Sequence, residues 1–342
     1  MKRILLVASN RQYEVGSFLR KAFPALPYQF CFVDDAVYSK GLSSTYVGRI
    51  YHRILGRPLY YRRFNQVLLH TALQFQPDLL LTTKGSYISA ETLWEIKART
   101  NALLVNYATD DPFNPRNSTP DILSAIPIYD LYACTKRAIM SDVKKAGCKS
   151  VAFVPFGYEP SMHYPEKCTS NEEQVRFAGD LAFIGGADSD RSSIFRRLAA
   201  ENTVSLALYG GYWDRDRALK RYHRGTVYAR DYRLALGESK ICLGLVRRAN
   251  RDGHSMRTFE IPACGGFMIA ERTEEHLEFF EEDKEVAFFG SDDELIDKIR
   301  YYIRRDKLRR QMADAARKRL LVGHNTYCDR LTQILEKAQS IL

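Results

Sequence analysis

Two carboxylates, Asp252 and Glu260, stand eight positions apart around Gly253-His254-Ser255-Met256-Arg257, and the run continues through Ala263-Cys264-Gly265-Gly266 into the apolar Phe267-Met268-Ile269-Ala270. The pattern reads as a glycine-started turn, a helix, a glycine stop and a short buried strand. A helix starting between His254 and Arg257 presents unpaired backbone N–H groups and a partial positive charge, which suit a diphosphate. Arg257 adds a charge-assisted hydrogen bond. Glu260, about one turn further on, is placed to accept two hydrogen bonds from a ribose diol. Asp252, on the preceding turn, is placed to hold sugar hydroxyls. The same spacing equally fits a plain helix capped by Ser255, with Glu260 on its solvated face and Gly265-Gly266 only a C-terminal stop.

Three further groupings offer chemistry. Phe183-Ile184-Gly185-Gly186 runs into a polar loop and then Arg191. Glycines there allow backbone to approach a ligand, and Arg191 supplies positive charge at the next helix start, although an ordinary strand-to-helix turn has the same look. Asp110-Asp111-Pro112 follows an apolar strand, and its adjacent carboxylates suit an acceptor hydroxyl, its proton or a divalent cation; an Asx turn ahead of proline is the alternative. Lys84-Gly85 falls at the end of another strand and suits phosphate or acceptor, or plain solvation. The stretch 36–77 has no acidic residue, yet interleaves Lys40, Arg49, Arg53, Arg57, Arg62 and Arg63 with Tyr46, Tyr51, Tyr60, Tyr61 and Phe64. Such a mixture suits anionic phospholipid headgroups, a lipid-diphosphate acceptor or nucleic acid, and equally a pair of solvated helices with inward tyrosines.

The elements that must position these residues form two series. Strand-like runs occur at Ile4 to Ala8, Phe30 to Val33, Leu79 to Thr82, Ala102 to Tyr107, Leu131 to Cys134 and Val151 to Val154. After a polar stretch from Glu159 to Asp180 they resume at Leu181 to Ile184, Val204 to Tyr209, Ile241 to Leu245 and Phe267 to Ala270. Apolar runs separated by helical patterns imply parallel sheets covered on both faces, so the fold class is α/β with two Rossmann-like doubly wound domains. We expect a first domain over 1–158, a second over 159–325, and an amphipathic C-terminal helix over 326–342. A chain of 342 residues suits two such cores. Its formal net charge of +10 excludes none of the anionic partners. The seven cysteines are scattered, with no Cys-x-x-Cys pair, which argues for reduced thiols and against a zinc cage; no metal site is expected. With no membrane-length apolar run and no signal peptide, a cytoplasmic location is expected, and residues 36–77 suit peripheral contact at the inner face of the membrane.

The segment from Asp252 to Glu275 resembles the nucleotide-sugar signature of group 1 glycosyltransferases, in particular the CgeB-like branch, whose pattern reads roughly Arg-x-Phe-Glu-x-x-Ala-Cys-Gly-Gly-Phe-x-x-x-Glu. Arg257, Phe259, Glu260, Ala263, Cys264, Gly265, Gly266, Phe267 and Glu271 match it. In the wider family the first acid is usually glutamate, where this chain has Asp252. Thr109-Asp110-Asp111-Pro112, Val154-Pro155-Phe156-Gly157, Glu274 to Phe280, Asp292 to Leu295 and Tyr301-Tyr302 are also similar to this branch.

The resemblance implies GT-B architecture, two domains facing across a cleft, with the last helix bracing the first domain. It implies a UDP-, GDP- or dTDP-sugar donor, a glycan, lipid-linked or small-molecule acceptor hydroxyl, retention of configuration, no obligatory metal or other cofactor, and no nucleic acid. By that resemblance Gly185, Gly186 and Arg191 form the other wall of the diphosphate site. Gly225 to Tyr232 is the loop whose backbone atoms, near a hydrophobic residue, read the base, with Val227 and Tyr228 making that contact. Gly253, His254, Ser255, Met256, Arg257 and Glu260 bind the donor; Asp252, Asp110 and Asp111 are the catalytic candidates; Lys84 and Asp110 face the acceptor. A sugar-nucleotide epimerase, a phosphorylase, or a basic nucleic-acid or membrane-surface binding protein are the alternatives.

Overall fold

The computed structural model describes residues 1–37, 45, 46, 50, 54 and 57–341. The chain divides into two compact units: Met1–Pro155 with Ala249–Arg251 and Tyr327–Leu342, and Phe156–Arg248 with Asp252–Thr326.

The first unit is built on a six-stranded, all-parallel sheet in the order β2-β1-β3-β4-β5-β6. Its strands are β1 (Arg3–Ala8), β2 (Gln29–Asp34), β3 (Leu79–Thr83), β4 (Leu103–Ala108), β5 (Leu131–Cys134) and β6 (Ser150–Phe153). All five residues of Leu79–Thr83 are buried, as expected of a central parallel strand covered on both faces. The chain leaves β1 toward β2 on one side and later returns to β3 on the other, so the order reverses between β1 and β3. In open α/β sheets ligands collect outside the carboxyl ends of the strands at such a reversal. The C-terminal helix α1 (Tyr327–Gln339) belongs to this unit, where Tyr327 stacks on Phe18 with ring centroids 5.0 Å apart.

The second unit carries a five-stranded parallel sheet in the order β11-β10-β9-β7-β8. Its strands are β7 (Gly179–Ile184), β8 (Leu206–Tyr209), β9 (Ser239–Gly244), β10 (Met268–Glu271) and β11 (Ala287–Phe289). β11, three residues long, has no counterpart among the sequence expectations: Ala-Phe-Phe is too short a run to stand out. Here the order reverses between β7 and β9. Phe183, Phe195 and Trp213 fill one face of this sheet, with Trp213 edge-on to both phenyl rings. Its indole N–H donates to the Gly185 carbonyl at 2.8 Å, tying the core to the loop that follows β7.

The described part of the basic-aromatic stretch is split: Tyr46, Arg62 and Arg63 are exposed, while other members turn toward the protein. Arg57 pairs with buried Asp121 at 2.9 Å and lies over the Tyr61 ring, Tyr61 donates to the same carboxylate, and Phe64 is in the core. Lys40, Arg49, Tyr51 and Arg53 lie outside the described residues. Among the described residues, no helix is long and apolar enough to cross a membrane.

Candidate active site

In the second unit the two walls anticipated from the sequence meet at the carboxyl end of β7. Arg191 lies in the first turn of α2 (Ser189–Glu201), a helix capped by Asp188, whose side chain accepts from the Arg191 N–H at 3.0 Å. The buried Arg191 guanidinium reaches back over the sheet reversal, donating to the Gly186 carbonyl at 3.2 Å and to Leu245, just past β9, at 3.4 Å. Its Nε is buried with no acceptor. Arg257, the first residue of α3 (Arg257–Ala263), donates through Nε to the Ile184 carbonyl at 2.8 Å, and its two terminal amino groups have no partner among the described residues.

The electrostatics of this corner are lopsided. Asp188 lies 3.5 Å from both Arg191 and Arg247, and no other carboxylate forms an ion pair with Arg191 or Arg257 among the described residues. Burial, followed by repulsion from Arg257 and Arg247, pulls the Arg191 guanidinium down to about 10 against the attraction of Asp188 and Asp252. A guanidinium under that pressure is relieved by an anion.

The start of α3 takes an uncapped form. Met256, its N-cap residue, has helical φ and ψ and makes no side-chain cap bond, so the Ser255 cap is not made. Instead the Ser255 N–H donates to Thr258 Oγ1 at 3.1 Å, leaving the backbone N–H groups of Met256 and Arg257 without a protein acceptor among the described residues. Asp252 on the turn before accepts from the Arg247 N–H at 3.3 Å.

Behind this surface lies a buried histidine network that the sequence reading missed. His254 is 0% exposed and packed among Phe156, Phe259 and Phe279. Its Nε2 accepts from the Phe156 N–H at 3.0 Å, so the ring is neutral and Nδ1–H faces the Glu275 carboxylate at 2.5 Å. The His254 side chain is thereby spent inside the protein, a correction to its expected donor contact. Gly253 is required by this network: a Cβ there would come within 2.4 Å of Glu275 Cδ. His276 is likewise enclosed, bonded to the Glu271 carbonyl and to Thr258 Oγ1, and burial lowers its pKa to about 4.

Glu260 is 4% exposed, which excludes the solvated face. One oxygen accepts from Tyr232, and the other lies 3.6 Å from His163 Nε2. His163 Nδ1 accepts from the Glu159 N–H, so its proton is on the nitrogen facing Glu260. Only some of the lone pairs of the carboxylate are used by these two contacts.

Other expectations are narrowed or corrected. Val227 is 3% exposed and packs in the core with Tyr209 and Leu234, so only its backbone is left for a base, whereas Tyr228 is 56% exposed. A Cβ at Gly185 would lie 2.7 Å from the Phe183 ring, so that glycine serves packing; at Gly186 the same position meets nothing closer than 3.7 Å, leaving backbone open to approach. In the first unit, buried Asp111 is closed off by a two-point contact with Arg251 at 2.7 and 3.0 Å and by the Phe113 N–H, which removes it as a proton acceptor. Arg251, the residue just before Asp252, had no signal of its own in the sequence.

Asp110 keeps a more open position, paired with Lys84 at 2.8 Å and accepting from Asn250 at 3.2 Å. Burial opposes its ionisation, but the Lys84 and Lys136 ammonium groups and the Asn250 N–H outweigh it and hold its carboxyl below the usual carboxylate range. Lys84 reaches it from a left-handed backbone, φ +66°, at the end of β3.

Residues 191–336 match a family described as glycosyl transferase-like. Solved structures similar to the whole chain include HepE from Anabaena in complex with UDP and glucose, at 12% identity, TM-score 0.67, covering 99% of this chain and 100% of that one. Sucrose-phosphate synthase from Thermosynechococcus elongatus gives 12% identity and TM-score 0.66, with 99% of each chain covered. A glycosyltransferase from Rickettsia africae gives 12% and 0.66, with 99% and 98% covered. Among curated proteins, none matches the chain. With two parallel α/β sheets in the chain order of these solved structures, the chain has the GT-B fold and carries a glycosyl transferase-like segment over residues 191–336, most of its second unit.

Proposed function

We propose that the protein transfers a sugar from a nucleoside-diphosphate sugar, with UDP as the first choice of nucleotide, to an acceptor hydroxyl. The observation that carries this reading is the Arg257 guanidinium, anchored by Nε alone, beside the buried and under-compensated Arg191 at the reversal of the second sheet. Two arginines so placed suit a diphosphate in the ground state and its growing charge as it leaves. Gly186 and the Met256 and Arg257 N–H groups support the same position. Glu260 is proposed for the ribose through its remaining lone pairs, Asp252 for the transferred sugar, and Tyr228 for the base. Lys84 and Asp110 are proposed for the acceptor side, with Asp110 orienting a hydroxyl instead of taking its proton.

Retention of configuration follows in this scheme, the leaving phosphate taking the acceptor proton, and the arginines supply the charge that an obligatory metal would. The UDP-bound state of HepE favours a uridine donor. A cytoplasmic location accords with seven free cysteines.

The test is a thermal-shift series with UDP, GDP, dTDP and their sugars. A ligand at 100 times its Kd adds about 2.7 kcal/mol. One nucleotide family should raise Tm in wild type and fail to do so in Arg257→Ala; no shift with any nucleotide at millimolar concentration would refute the assignment. Nucleotide release only when an acceptor is present separates transfer from epimerisation, and NMR of the product's anomeric proton reads retention.

A further inference from the structure

In the first unit, five carboxylates belong to the region where β1, β2, β3 and β4 end, and four of them are satisfied, Asp111 by Arg251. Asp34 accepts from the Asn10 and Ala36 N–H groups at 3.1 and 2.9 Å, Glu14 lies 3.9 Å from Arg11, and Asp110 is paired with Lys84. Asp35 is the exception. Its backbone N–H is fixed to the Ala8 carbonyl at the tip of β1, which holds it beside the sheet reversal. Its side chain has no hydrogen bond or ion pair among the described residues and is half-buried. The groups that act on it are few. Asp34 and Glu14 repel its charge, Arg11 and Lys84 attract it, and the phenols of Tyr60 and Tyr87 feel it in turn. Those two rings meet edge to face, centroids 6.1 Å apart.

We infer that Asp35 holds the acceptor, and that the group it holds is a hydroxyl of a neutral sugar or polyol and not a phosphate. The inference rests on the transferase reading above, with the first unit as the acceptor half. A half-buried carboxylate that lacks a donor takes a hydroxyl hydrogen bond readily, and the same carboxylate among Asp34 and Glu14 repels an anion. Of the acceptors open to the sequence, this selects a glycan or small neutral sugar over a lipid diphosphate. Burial, then Asp34 and Glu14, push the Asp35 carboxyl up to about 7, so its grip should change within the neutral range.

Calorimetric titration of the full-length protein with methyl α-glucoside and with glucose 6-phosphate tests this directly. Wild type should bind the glucoside at least tenfold more tightly than the phosphate at pH 8, and the preference should shrink as pH falls through about 7 and Asp35 takes up a proton. Asp35→Asn should weaken the glucoside about tenfold, reduce the preference to about threefold or less and flatten its pH dependence, while UDP binding stays at the wild-type value. Asp35→Ser, with Tm as a check of folding, should do the same. A wild type that prefers the phosphate or binds neither sugar, or a folded variant that keeps the full preference, overturns the inference. Failure of every nucleotide to bind would sink the transferase reading instead, and the glucoside comparison, which needs no donor, would still report on Asp35.

Discussion

Replacing Gly253 by alanine tests whether the motif glycine is there for the ligand or for the protein behind it. A Cβ at this position would come 2.4 Å from Glu275 Cδ and 2.6 and 2.7 Å from its two oxygens. Contacts under 3 Å are not tolerated, and Glu275 cannot move without cost, since it is buried and bonded to a fully enclosed His254. Overpacking of this kind costs about 1–3 kcal/mol. Pulling a carboxylate from a buried hydrogen-bond donor adds roughly 1.5–3 kcal/mol. With partial relaxation the sum is about 3–5 kcal/mol, and at roughly 2–4 °C per kcal/mol for a unit of this size Tm should fall by about 10 °C or more. Differential scanning calorimetry reads this directly. Gly211→Ala is the internal control: nothing lies within 4 Å of its Cβ position, so its Tm should hold within about 2 °C, the span of a surface change of ±0.5 kcal/mol. Equal, small shifts in both variants would refute the account of Gly253 as a packing glycine and return it to the ligand.

Other outcomes follow from the same geometry. Arg257→Ala removes two unpaired amino groups and one backbone hydrogen bond, so donor affinity should drop by about 1.5–3 kcal/mol with Tm nearly unchanged; calorimetric titration with the stabilising nucleotide checks this. Burial holds the folded pKa of His276 at about 4 against an ordinary 6.5, so the unfolded chain binds more protons between those values and stability is lost as pH falls from about 6.5 toward 4. Urea midpoints at pH 7.5 and 4.5 should show a loss of about 3 kcal/mol that His276→Gln largely abolishes. Glu260→Gln should weaken nucleotide binding by about 1–3 kcal/mol, and unchanged affinity would leave Glu260 only its contacts to Tyr232 and His163. Arg251→Ala strands buried Asp111 and should cost about 3–5 kcal/mol of stability, read from a urea titration.

Local patterns decided much of this protein in advance. Ten of the eleven strands stand out as apolar runs, the central ones because a parallel strand covered on both faces must be apolar throughout, and only Ala287–Phe289 was too short to show. The glycine-started turn, the helix bearing Arg257 and Glu260, and the arginine at the start of the helix after β7 were legible for the same reason: each is set by neighbours in the chain. Partners distant in sequence were not. Only the folded chain brings Glu275 against Gly253 and His254, places His163 and Tyr232 on Glu260, closes Asp111 with Arg251 and buries Val227 while leaving Tyr228 outside. It alone shows that Arg257 keeps two amino groups unspent at the carboxyl end of β7 and that Asp35 is left without a donor. Whether a charged group is used up by the protein or left for a ligand depends on which residues face it across the fold, and periodicity along one chain carries no record of that.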